Sequence, residues 1–532
     1  MKGDWRGDIS KDSFDPTKHF LRVLSQQGRV QLDADSNEQI DILLHYIQTL
    51  AKDIIGPFAG TEHGFEIGKL IDGTFNIGYG RYYVDGILCE NEKKDSPCEK
   101  IEDISLGYDA QLDYPITTIK DVKTSIENTD LPLLVYLDVW ERHISCVEDD
   151  DIREKALGGP DTATRSKVIW QVKVLKGSDI CLNNGTNGIS NEIECQDWLE
   201  IARQTNYPNK NKWTANVVEK CLQQPNRGCL KARAMMPKED ASSPCTISPE
   251  ARYRGAENQL YRVEIHRGGI AMPSGTNKNL VAQTTSGTKD YSKCATFKWS
   301  RENSAVVFPI IDINGNELTL EHLGRDDRSS LKVDDWVEVI DDDYSLLILS
   351  RPSPLLETNN KKLRPLAQVS IVDLAEMKVT LKMKEGTWPD YNTKDKHPLL
   401  RRWDYAATED GPELADKGAS GLIVVEGVCK YDDKWLTLED GVQICFQAPS
   451  NGQPNKYQVG DYWLIPARTE TGDVEWPGTI EKPEALPPHG IEHHYAPLAI
   501  MQNGVAPIDC RPLIDNIGKC LGQSVAQKAP LM

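Results

Sequence analysis

Between Phe14 and Pro57 the chain carries a complete helical grammar, whereas the residues beyond Pro57 read as strands and turns. Ile40, Leu43, Ile47, Leu50 and Ile54 recur on alternating three- and four-residue steps, with Leu44 widening the stripe, so a helix gathers them along one seam. Asp35, three residues before Glu38, is expected to open this helix as a capping-box variant. Gly56-Pro57 is expected to close it, the glycine as C-cap and the proline as a residue that cannot continue. A shorter helix is expected before it, capped by Asp15, started by Pro16 and stopped at Gly28, with Phe20, Leu21 and Leu24 on one side. A stripe this apolar needs a partner. It can pack on the chain's own sheets, or dock with copies of itself or another protein; two heptads fall short of the roughly three or four that mark a coiled coil. In the second arrangement Phe20, Leu24, Ile40, Leu43, Ile47 and Leu50 form the interface.

After Pro57 the period changes from helical to alternating. Gly80 to Glu92 reads as a hairpin about Asp85-Gly86, and Val306 to Leu323 as a second about Asn314-Gly315. Leu133 to Trp140, too apolar to lie at an edge, and Val168 to Leu175, which repeats the alternation, are strands expected to pair in one sheet. Leu331 to Asp342 and Tyr457 to Ala467 both place Val, a turn residue and Asp before a Trp-bearing strand, a weak internal repeat. Gly421 to Phe446 reads as a three-strand meander divided at Asp432-Asp433 and at Glu439 to Gly441. Short helices are expected over Cys195 to Arg203 and Leu513 to Leu521. The expected fold is mainly β with an N-terminal α-helical segment and several antiparallel β modules of sandwich or small-barrel type. Its divisions are 1–57 (helical anchor), 58–130 (hairpin region), 131–310 (sandwich-like, with inserted polar loops), 311–385 (small β module) and 386–532 (C-terminal module and tail).

At 532 residues the chain exceeds what one core supports. Its net charge of −20 disfavours a sequence-independent grip on nucleic acid or an anionic membrane surface. No segment reaches the roughly 18 apolar residues of a membrane span, and the start, MKGDWRGD, lacks the apolar run of a signal peptide, so a soluble cytoplasmic protein is expected. Thirteen cysteines without any C-x-x-C spacing favour free thiols; Cys221 and Cys229 are the pair best placed to meet across a turn.

Chemistry-bearing strings are few. Glu148 to Asp151 could hold calcium but reads more simply as a solvated loop, and the DINGNE letters place glycine too early for an EF-hand. His266 falls on the polar side of a strand and is expected at the surface; Glu257 and Asn258 are expected in a structural turn. Arg6-Gly7-Asp8 matches an integrin motif by letters only. His489, Glu492 and His493 match the H-x-x-E-H order of inverted zinc peptidases, yet Gly490 and the flanking prolines oppose the helix that chemistry needs. No cofactor is expected. Trp388 and Tyr391 are candidates for stacking on a sugar ring.

The opening pattern MKGDWRGDISKDSFDPTKHFLRVLSQQGRVQLDADSNEQ resembles that of a family of large bacterial proteins of uncharacterised activity, encoded beside contractile injection systems, the phage-tail-like particles. The blocks at Leu131 to Leu175, Ser248 to Gly269, Ala295 to Ile310 and Pro487 to Pro497 are similar to the same family. The resemblance implies a structural component at or around the baseplate, incorporated from the bacterial cytoplasm into the particle as a homo-oligomer. Its implied neighbours are baseplate proteins, with spike or sheath beside them. A receptor- or glycan-binding appendage and a zinc hydrolase at His489, Glu492 and His493 are the alternatives.

Overall fold

The computed structural model describes residues 3–71, 73–92, 105–115, 133–176, 227–236, 252–272, 294–324, 326, 328–349, 363–382, 394–405, 420–429, 435–449, 455–501 and 505–514. Antiparallel strands dominate it, with one long helix, α1, over Asp33–Ile55. The mainly β expectation with an N-terminal helix is met.

Both hairpins form. At Gly80–Val84 and Ile87–Asn91 the two loop residues, Asp85 and Gly86, take φ 50° and 84°, the double left-handed geometry that matches strand twist. At Val307–Asn314 and Glu317–Leu320 the loop is Gly315-Asn316, one residue later than expected, because Asn314 still pairs with Glu317. Leu133–Ile144 and Arg165–Lys176 pair antiparallel over their whole length. In the internal repeat Asp334 and Gly460 take φ 75° and 83°, and the next residue's N–H closes the same turn each time, Asp335 onto Lys332 and Asp461 onto Gln458.

The sheets cross the linear divisions expected from sequence. Six strands close a barrel in the order Val307–Asn314, Glu317–Leu320, Lys378–Lys382, Ala367–Asp373, Trp336–Ile340, Leu399–Trp403, so residues beyond 386 complete a module begun at 307. Gln259–Arg267 lies between Thr296–Ser300 and Tyr462–Arg468, and Leu133–Ile144 between Arg165–Lys176 and His494–Met501. A strand's alternation says that it has neighbours; long-range pairing decides which. The segment Gly421 to Phe446 is likewise not a meander. Leu422–Ile423 joins Thr296–Ser300, and Glu426–Gly427 runs parallel to Val442–Gln447. That parallel pairing brings Cys429 back to Cys445, and the two form a disulfide, a correction to the expectation of free thiols, while Cys229 is free. Spacing alone carried no sign of it.

The expected helix from Asp15 to Gly28 is replaced by one 3-10 turn, Pro16–Lys18. Asp15 does cap it, accepting from Thr17 N–H, but His19 then turns left-handed at φ 56°. A short helix must repay its nucleation through packing, and Phe20, Leu21 and Leu24 remain exposed. The start of α1 also differs: Leu32 occupies the N-cap without a side-chain bond, and Asp35 lies within the first turn. Asp33 instead accepts hydrogen bonds from Ser10 N–H and Oγ at 2.8 and 2.7 Å, fastening the N-terminal strand of chain to the helix. Gly56 ends α1 as expected, its N–H donating to Lys52 O.

Gly86 sits directly under α1, where a Cβ would overlap the Gln48 carbonyl, and its φ is left-handed. Gly86→Ala is therefore expected to unseat α1 at a cost of about 2 kcal/mol or more, read as faster amide exchange in 33–55 with the sheets unchanged.

Candidate assembly face

α1 is amphipathic, and it is seated by its polar side together with Ala34 and Ile42. Lys52 Nζ pairs with Asp85 at 2.6 Å, Ser13 Oγ donates to Glu38 at 2.6 Å, and the Phe14 ring packs on His45 with centroids 5.8 Å apart. Ala34 and Ile42 are its only fully buried side chains. The apolar stripe faces away: Ile40, Ile47, Leu50 and Ile54 are each more than half exposed, and Leu43 and Leu44 nearly so. Val23 N–H donates to Gln39 Oε1 at 2.9 Å, which ties the preceding segment, with Phe20, Leu21 and Leu24 exposed, to the same helix. All six expected interface residues therefore stand in solvent in the single chain. Burying an aliphatic side chain is worth about 1.5–3 kcal/mol, and scattered single apolar residues are ordinary whereas a whole helix face is not.

Charge is arranged in the opposite sense, inside. His266, expected at the surface, is 3% exposed, because the polar side of Gln259–Arg267 is covered by the barrel and by residues 3–9. Arg262 donates to Asp4 and to Glu264, each at 2.7 Å, and Arg6 donates to Asp4 at 2.7 Å. Lys298 bridges Glu264 at 3.4 Å and Glu338 of the barrel at 2.5 Å. Burial would raise the Glu264 carboxyl, but Arg6, Arg262 and Lys298 outweigh it and hold it well below the usual range. Burial, aided by Lys298, pushes the His266 imidazole down to about 3, so it is neutral at pH 7. Arg6 of the Arg-Gly-Asp string is locked in this cluster and is 8% exposed.

A family model matches residues 1–187 and 217–528, almost the whole chain. The chain belongs to DUF6519, a family of unknown function. Neither the curated proteins nor the solved structures provide a match.

In this DUF6519 protein the string from His489 to His493 is irregular chain leading into the strand His494–Met501, with Gly490 left-handed at φ 56°, and not the helix that zinc chemistry needs. His489 stacks on Tyr462 at 5.5 Å, and burial pushes its imidazole down to about 4. His493 Nδ1 lies 2.7 Å from Asp138, while Glu492 is exposed. Among the described residues no group of three or more His, Cys, Asp or Glu could hold a metal ion. In the acidic run, Glu148 accepts from Ser145 and Asp149 caps the 3-10 turn Asp150–Ile152. Asn258 Oδ1 accepts from Thr469 N–H at 3.0 Å, a long-range contact that fastens it to the turn after Tyr462–Arg468. Trp388, Tyr391, Asp432, Asp433, Cys221 and residues 195–203 and 515–521 lie outside the described residues. Among the described residues no helix is long and apolar enough to cross a membrane.

Asp138 is fully buried between His493 and Lys173. Burial raises its carboxyl, yet the charges and hydrogen bonds of those two partners hold it at about 2. A carboxylate depressed in the fold stabilises it above its unfolded pKa, about 4, and that contribution fades as pH falls toward 2. Urea midpoints measured between pH 5 and 2 are expected to lose about 2 kcal/mol from this group, and Asp138→Asn to flatten that limb.

Proposed function

We propose that this DUF6519 protein is a structural component of a bacterial contractile injection system, at or around the baseplate, and that it acts by protein–protein assembly. The inverted seating of α1 carries the assembly reading: its polar side is used on the chain's own body, and its apolar stripe is left for a neighbour. The resemblance of the opening pattern to proteins encoded beside such particles supports the choice of assembly. The partners are baseplate proteins and other copies of this chain, with spike or sheath adjoining. Docking removes water from the face between Phe20 and Ile54 and leaves the β body projecting as a scaffold. No turnover is required.

Carbene footprinting read by mass spectrometry tests this. Leu43, Ile47 and Leu50 are expected to label strongly in the free chain and to be protected in isolated particles. Equal labelling in both states would contradict it.

A further inference from the structure

A cavity of about 50 Å³ lies where residues 4–6, the strand Gln259–Arg267, the barrel strands Trp336–Ile340 and Leu399–Trp403, and the helix Asp342–Leu349 meet. The carboxylates on its wall are already engaged. Asp4 and Glu264 share Arg6 and Arg262; Glu338 takes Lys298 and the Trp403 indole N–H; Glu148 takes the Ser145 N–H. Arg142, also on the wall, pairs with Asp342 at 2.7 Å.

Arg401 is the exception. It is 8% exposed, and among the described residues its guanidinium has no hydrogen bond or ion pair, its Nε being sealed from solvent without an acceptor. His143 Nε2, on the same wall, is also buried without a hydrogen-bond partner. Burial and the nearby Arg6 draw the Arg401 guanidinium down only to about 10, so it is cationic at pH 7, and burial pushes the His143 imidazole down to about 4, so that ring is neutral. A buried cation whose neighbouring carboxylates are committed to other donors calls for an acceptor from outside the chain.

We propose that this cavity binds one small oxyanion, with Arg401 as its principal ligand and His143 as a second donor. The guanidinium fork suits two oxygens of a phosphate, sulfate or carboxylate group. About 50 Å³ accommodates roughly three to four water-sized groups, which suits such an anion. The bound ion would tie residues 4–6, the sheet around Gln259–Arg267 and the barrel together. This inference does not rest on the assembly reading.

Equilibrium dialysis of the full chain against labelled sulfate and phosphate, at fixed ionic strength, is expected to find one ion per chain at millimolar concentration. Acetate is expected to compete if the natural ligand is a carboxylate, and to leave binding unchanged if it is inorganic. Binding should raise the wild-type Tm with increasing ion, and Arg401→Gln should lose both the ion and the shift. No bound ion on the wild-type chain would overturn the proposal, leaving a cavity that holds water only. Equal binding by wild type and Arg401→Gln would overturn it as well. The wild-type measurement decides the matter even if Arg401→Gln fails to fold.

Discussion

Leu43→Asp combined with Ile47→Asp is expected to abolish assembly while leaving the chain folded. Both side chains stand in water in the single chain, 47% and 60% exposed, so two added carboxylates remain solvated and move its stability little. In a docked face the same carboxylates lose their water. Forfeited burial of about 2 kcal/mol per side chain, with several kcal/mol more for each desolvated charge, weakens docking by at least about four orders of magnitude. Co-sedimentation with particles reads the first effect, and circular dichroism with Tm reads the second. Ile42→Asp is the control, since Ile42 is 1% exposed and belongs to the seat of α1. Unfolding of the double variant would mean that the stripe belongs to the chain's own core.

Arg262→Met is expected to cost about 3–5 kcal/mol of stability. Arg262 is wholly buried, donates to Asp4, Glu264 and the Trp5 carbonyl, each at 2.7 Å, and lies 3.7 Å over the Tyr462 ring. Met fills a similar volume but leaves two buried carboxylates short of a cation. Because Asp4 and Trp5 hang from this guanidinium, the N-terminal strap should detach before the sheets unfold. Limited proteolysis at residues 3–12 and a lowered urea midpoint check both steps. Lys11→Ala, which removes a half-exposed pair with Glu475, serves as the contrast and should leave the midpoint in place.

Local grammar was legible and partnership was not. Asp85-Gly86 announces its hairpin because few dipeptides tolerate two left-handed residues in succession, and Gly56-Pro57 announces the end of α1 for a similar steric reason. The alternation of Arg262, Glu264 and His266 reads as a solvent face because one strand cannot show that Lys298 and Glu338 of other strands supply matching charges above it. The helix expected at Asp15 to Gly28 fails for the converse reason: Phe20, Leu21 and Leu24 stay exposed, with nothing among the described residues for its apolar side to pack on. The same absence, repeated along α1, is what turns a sequence stripe with two open readings into an exposed face. Cys429 and Cys445 meet only because Glu426–Gly427 runs parallel to Val442–Gln447, a pairing that no local signal dictates.

The most direct test of the assembly account is to tag the C-terminus in the native host, isolate contractile particles, and quantify their components by mass spectrometry. The account predicts this chain at a fixed stoichiometry with tube, sheath and baseplate proteins, and its loss on Leu43→Asp with Ile47→Asp. Intact particles wholly lacking the chain would contradict it.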